Sequence, residues 1–343
     1  MAASRRRRLP CSPWLAALVL CGACDPGNEL PPPGRCDANT IAAPQVERVR
    51  LVDGAASFDD LVHLAALDRV LAIPQGRGAV HLIEPVALDV TTIDGLPTGI
   101  ASGDGDASTL WLADRSAHRI VGVAIDGGDV IATIELSARP DYVRLRPASG
   151  ELWVSLPGEH RMAVLDVAAV PPVEIDSVAV DGGPEGLTFS PDGARAYAQV
   201  FVGAVVVIDT DARREISRWD SGCVGAHGFP QIDAARGLLV AGCQQDGGIV
   251  VLDEHGGARL AGFSAGGGES ILAADAERER LYVRGDPDGA LAMLAVCDGG
   301  TVHELARVDV GAQGHGMTVD AHGGVWVCDA DGGGVVRVLE RAR

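Results

Sequence analysis

No lysine occurs anywhere in this chain, so all 28 of its basic side chains are arginine. That excludes lysine Schiff-base chemistry and the lysine-bearing phosphate cradles. Several other catalytic signatures are missing as well. There is no G-x-S-x-G elbow, no H-E-x-x-H helix, no P-loop and no C-x-x-C-H haem site, since Asp25 follows Cys24. No residue is assigned a catalytic role on this basis. Positive charge is scarce, with 28 arginines against 47 acids and a formal charge of −19. Such a surface repels nucleic acid and anionic headgroups, which leaves a protein or a small molecule as the expected partner of a monomeric chain. Aromatics make up only 4% of the residues. No apolar run is long enough to span a bilayer as a helix.

Glycine and proline are plentiful, at 45 and 19 residues, and they are scattered along the chain. That pattern suits many short strands joined by tight turns. The N-terminus reads differently. Residues 5–8 are four arginines, and 13–20 form a short apolar stretch that ends in small residues and cysteine. This is the order of an export signal spanning residues 1–23. The run Leu20-Cys21-Gly22-Ala23-Cys24 resembles a bacterial lipobox, with Cys24 as the lipidated residue. Cys21 is the less suitable alternative, because Leu20 would then occupy a position that needs a small side chain; secretory cleavage without lipid is the other. Residues 24–44, with three consecutive prolines, have the composition of a tether. Removing the signal deletes four arginines and no acids, which takes the charge from −19 to −23. The expected location is the periplasm or cell surface.

An internal period organises the remainder, residues 45–343. Thr98, Asp141, Glu185, His227, Glu269 and His315 recur at one position of an aligned segment, spaced by 43, 44, 42, 42 and 46 residues. A poorer copy begins at Asp60, which brings the count to seven. Each unit holds an apolar strand, a turn, a second strand carrying Trp111, Trp153, Tyr197, Leu239, Tyr282 or Trp326, and two further strands. Four strands in about 43 residues is the size of a propeller blade, and the recurring aromatic is read as packing between blades. The last unit has length for three strands only. Residues 46–52 alternate apolar and polar, and supply the fourth. The expectation is an all-β, seven-bladed propeller closed by its N-terminal strand, which removes the exposed edges.

The stretch PEGLTFSPDGARAYAQVFVGAVVVIDT, 184–210, resembles a YVTN repeat, and GMTVDAHGGVWVCDADGGGVVRV, 316–338, resembles an NHL or streptogramin-lyase repeat. Proteins with these repeats include ligand binders, interaction platforms, lactonases and lyases, so the resemblance implies a fold more strongly than a function. Propeller connectivity places Cys223 and Cys243 together on one face, called the top here, and Cys36 near Cys297 beneath. Export permits disulfides, so Cys223–Cys243 and Cys36–Cys297 are the expected pairs, with Cys328 unpaired.

The repeated polar position begins each innermost strand. Asp141, Glu185, His227, Glu269 and His315 are therefore expected to ring the top of the central channel, as oxygen and imidazole donors for a divalent cation such as calcium or magnesium. Asp329 follows His315 by 14 residues, a step that resembles the histidine and acid pair of streptogramin lyases. A second histidine of that family falls here on Glu269, and the nearer histidine is His227. The candidate metal set is His227, Glu269, His315 and Asp329. A water-facing structural ring is the competing reading. His118 and His160 align with each other where related repeats carry asparagine, and are expected to hold turns. The leading function is a non-catalytic binding scaffold. The alternative is a metal-dependent lyase or lactonase acting on a cyclic ester.

Overall fold

The structure, a computed structural model, describes residues 41–341 except 246, 286–288 and 312–313. The stretch expected to be an export signal, Cys24 and Cys36 lie outside the described residues. Twenty-eight strands form seven four-stranded antiparallel sheets. In six of them the four strands are consecutive in sequence, giving blades one to six over 58–94, 100–135, 143–179, 184–220, 226–264 and 270–309. Blade seven is built from Met317–Val319, Val325–Asp329 and Gly334–Arg341, with Ala42–Arg50 as its outer strand. Val46 pairs with Val338 and Val49 with Val335, so the first and last described strands share one sheet. This is the expected closure in a shifted frame. The outer strand starts at Ala42, inside the stretch read as tether. It stops at Arg50 because its partner begins at Gly334, and the amides of Leu51 and Val52 both donate to the Gly333 carbonyl instead. Blade one likewise starts at Phe58, two residues ahead of the expected copy.

Each second strand is buried along nearly its whole length, because it has a neighbouring blade on either face. Trp153, Trp326, Tyr197, Tyr282 and Leu239 are fully buried and Trp111 nearly so. The apolar clusters cross from blade to blade. Trp111 belongs to one that joins blades two and three, Trp153 to one joining three and four, and Trp326 to one joining seven and one. Packing between blades therefore explains the repeated aromatic. Trp111 faces Gly122 on the next strand, where a Cβ would lie 2.6 Å from the indole ring, so the glycine makes room for it. The polar ends of these aromatics are mostly satisfied. The Trp326 Nε1–H donates to Asp320 at 2.7 Å, and the Tyr197 hydroxyl to Glu254 at 2.6 Å. Burial together with that carboxylate pushes the Tyr197 phenol up to about 12.

Cys223 and Cys243 are disulfide-bonded, with Cα atoms 5.1 Å apart, and tie the entry of blade five to the end of its second strand. Cys297 is also disulfide-bonded, and its expected partner Cys36 lies outside the described residues. Cys328 is a free, buried thiol, held protonated chiefly by burial.

Candidate functional site

The innermost strands start at the top and run down the channel. Their upper ends are where the ladders are irregular. The pairing of inner and second strands shifts register between Phe58 and Leu61, Pro184 and Leu187, and His227 and Gln231. In blades three, six and seven the inner strands begin just after the repeated polar position, at Val143, Ser270 and Met317. Irregular pairing frees these side chains to turn towards the axis.

The structure brings His227, Glu269 and His315 together, with one donor atom from each lying within 4.8 Å of the others. Glu269 Oε2 is 2.8 Å from His315 Nε2 and 3.6 Å from His227 Nε2. The two imidazoles meet edge to face, with ring centroids 5.1 Å apart. His227 is 6% exposed, against 33% for His315 and 29% for Glu269, so the group opens upward. Close backbone packing seats His227. Gln199 donates to its carbonyl and to that of Gly228, and accepts from the Gly242 amide at 3.0 Å. A Cβ on Gly242 would lie 2.8 Å from the His227 carbonyl oxygen, so only glycine fits there.

Asp329 does not join this group. Its carboxylate accepts from Arg48 of the outer strand at 2.7 Å and from the Gly332 amide at 3.0 Å, which binds the closing strand and the turn instead of facing the axis. The second acid beside His315, after Glu269, is Asp59, 3.3 Å from Nδ1. The repeat passed over it because the expected copy in blade one begins at the next residue, Asp60. Asp59 and Asp141 both pair with Arg115, which stands at the end of the second strand of blade two and fills the place where the repeat has only Thr98. Arg115 has no periodic signal, so the repeat could not reveal it. His118 and His160 both sit in the left-handed region, at φ 53°, and hold turns in which their carbonyls accept from Leu136 and Val180.

The ring is electrostatically uneven. Burial raises the Glu185 carboxyl well above its usual range, and the negative charge of Asp141 adds to this. Burial also raises Asp141 in spite of Arg115, whereas Asp59, desolvated to a similar degree, is held low by His315 and Arg115 together. One guanidinium thus serves two acids, and the acid with a second donor benefits more. Burial lowers the His227 pKa, so its ring is neutral near pH 7 with a lone pair available.

Below the ring the channel is closed. Arg144 makes a two-pronged ion pair with the buried Asp60, with both contacts at 2.8 Å, and its guanidinium lies 3.8 Å from the centre of the Phe229 ring. Phe229 in turn meets Tyr142 edge to face at 4.6 Å. These contacts span blades one, three and five. Beneath them is a cavity of about 210 Å³ lined by Leu61, Phe229, Met317 and their neighbours. The top site is therefore a cup with a floor.

No protein-family model and no curated protein matches the sequence. Solved structures do resemble it. The hydrazine synthase of Kuenenia stuttgartiensis superposes with TM-score 0.69 at 14% identity, over 86% of this chain and 97% of that one. A chain of a mitotic checkpoint complex gives 0.73 at 14%, over 96% and 100%. The Cps50 (Swd1) β-propeller domain of Myceliophteria thermophila gives 0.70 at 13%, over 88% and 100%. The likeness is one of fold. At such identities it says nothing about the cup, whose chemistry has to be argued from its own residues.

Proposed function

We propose that this chain is an exported, lipid-anchored propeller of the YVTN and NHL repeat type, and that it binds its ligand, without catalysis, through a divalent cation held in the cup. The observation that carries the reading is the convergence of His227, Glu269 and His315 from three successive blades. With metal–ligand bonds of about 2.0–2.1 Å, neighbouring donor atoms stand roughly 3.0–3.4 Å apart. The two distances to Glu269, 2.8 and 3.6 Å, bracket that spacing. Asp59 at His315 Nδ1 supplies the carboxylate that orients a metal-binding imidazole, with Nε2 turned towards Glu269. Two imidazoles in a set of three favour zinc over calcium, magnesium or manganese, which prefer oxygen. A bound cation would also offset the carboxylates crowded around the mouth. One of the similar structures is a chain of a mitotic checkpoint complex, which is in keeping with a binding role.

The test is metal analysis after loading with zinc, manganese, calcium or magnesium and mild dialysis. Wild-type protein should retain about one zinc, and His315→Ala should lose it while its unfolding transition stays near that of the metal-free wild type. Retention of no metal by the wild type would leave only a solvated ring. Lipid attachment is tested separately. Cys24→Ser should move the protein from the membrane fraction to the soluble fraction without unfolding it, and continued retention would exclude Cys24.

One observation favours a second reading. Three protein donors leave coordination positions open, as catalytic sites do, and a cation there could polarise an ester carbonyl and activate water. Turnover of a cyclic ester that is lost in His315→Ala would establish the lyase or lactonase. Metal binding without turnover would leave the binding protein.

A further inference from the structure

We propose that a groove on the top face beside blade two is an anion subsite, and that the ligand of the cup is a small dicarboxylate with one carboxylate on the cation and the other on Arg139. The proposal rests on the cation reading above and specifies the class of ligand. The groove measures about 680 Å³, within the range of roughly 300–1,000 Å³ usual for small-molecule sites. Ser57, Gln75, Thr98, Arg115, His118 and Arg139 line it.

Three observations point to this ligand. The first is continuity. Six of the seven positions around the mouth carry an ionisable side chain, Asp59, Asp141, Glu185, His227, Glu269 and His315, whereas blade two has Thr98 followed by Gly99. Thr98, at the repeated position of blade two, lines the groove together with Gly99 and Arg115. Arg115 pairs with Asp59, and Asp59 reaches His315, so few atoms separate the groove from the candidate cation site.

The second is charge. In a chain of formal charge −19, the groove is lined by two arginines and a histidine and by no carboxylate. The third is availability. Arg115 is committed to Asp59 and Asp141, but Arg139 is exposed and has no hydrogen bond or ion pair with any described residue; it acts on Asp141 only at range. A guanidinium free on an acidic surface matches a carboxylate through two parallel hydrogen bonds. A second carboxylate on the same molecule would occupy the open positions of the cation. The acidic rim disfavours ligands that cannot neutralise part of their charge at both ends.

Calorimetric titration of zinc-loaded protein with the dicarboxylates from succinate to suberate, and with monocarboxylates of matched length, tests the proposal. The best dicarboxylate should bind at least about tenfold more tightly than its monocarboxylate. Arg139→Gln should abolish that preference and leave zinc affinity unchanged. Equal affinity for both series, or a preference that survives Arg139→Gln, would overturn the proposal. If the protein holds no zinc, the cation reading fails on its own. In that case dicarboxylate binding to the metal-free protein that weakens in Arg139→Gln keeps the groove as an anion site, and absence of such binding removes it.

Discussion

Replacing either partner of the Asp60–Arg144 pair should destabilise the propeller far more than replacing both. Asp60 is 2% exposed and Arg144 15%, and two 2.8 Å contacts join them across the channel. Ser102 adds a 2.6 Å hydrogen bond to Asp60, and the guanidinium stacks on Phe229. Arg144→Met leaves a buried carboxylate with one neutral donor and removes the cation–π contact. Breaking a buried pair costs about 3–5 kcal/mol and the stacking contributes about 1–2 kcal/mol more, though the two overlap. We expect a loss of about 4 kcal/mol for Arg144→Met and at least about 3 kcal/mol for Asp60→Leu. The double variant removes both members of the pair, and should lie within about 2 kcal/mol of wild type. At roughly 2–4 °C per kcal/mol, the single variants should melt about 6–16 °C lower. Urea unfolding of the four proteins, followed by tryptophan fluorescence, gives the cycle directly. Single losses under about 1 kcal/mol that simply add in the double variant would show that the floor of the cup is held by packing rather than by this pair.

Removal of the Cys223–Cys243 disulfide as a double serine variant should cost about 3 kcal/mol, the loop-closure value for its 20-residue separation, seen as a lower urea midpoint; an unchanged midpoint would refute it. Deleting residues up to Arg50 strips the outer strand from Gly334–Arg341 and exposes a valine-rich edge, so light scattering should show aggregation where the full chain stays monodisperse. His322 donates to Asp68 at 2.9 Å, joining a turn of blade seven to one of blade one, and this hydrogen bond raises its pKa above 6.5. The stabilisation should therefore be present in full below pH 6.5 and lost as pH rises through the raised value. An NMR titration of His322 should shift back towards 6.5 in Asp68→Asn, and no shift would contradict the contact.

The fold was largely legible in the sequence because a propeller repeats one local problem seven times. Every blade needs an aromatic or a leucine at the middle of its second strand, since that side chain fills the wedge between two sheets; the 42–46-residue spacing reports the wedge directly. Closure was legible for a related reason. A last blade with three strands leaves an open edge, and the alternating residues near Val46 are the available cover. The boundary was less visible, because Ala42 and Ala43 carry no alternation and their strand state depends on pairing with a partner about 300 residues away.

The site was legible only where it obeys the period. His227, Glu269 and His315 share the repeated position, so their convergence follows from the ring geometry once seven blades are counted. Asp329 was wrongly added by its fixed step from His315: a position at the end of a second strand can face the axis or the neighbouring strand, and here Arg48 draws it outward. Arg48 comes from the closing strand, which no other blade possesses, so the repeat cannot describe the surroundings of blade seven. Arg115 shows the converse. It enters at the one blade where the repeated position has lost its charge, and carries a positive charge into a mouth that would otherwise hold only acids and imidazoles. Without it Asp59 would keep only His315 as a partner and Asp141 only the more distant Arg139; with it, Asp59 is held ionised by His315 and Arg115 together. The departure from the repeat is thus what converts a symmetric ring of polar residues into a mouth with two unlike sides, an acid and imidazole side suited to a cation and an arginine side suited to an anion.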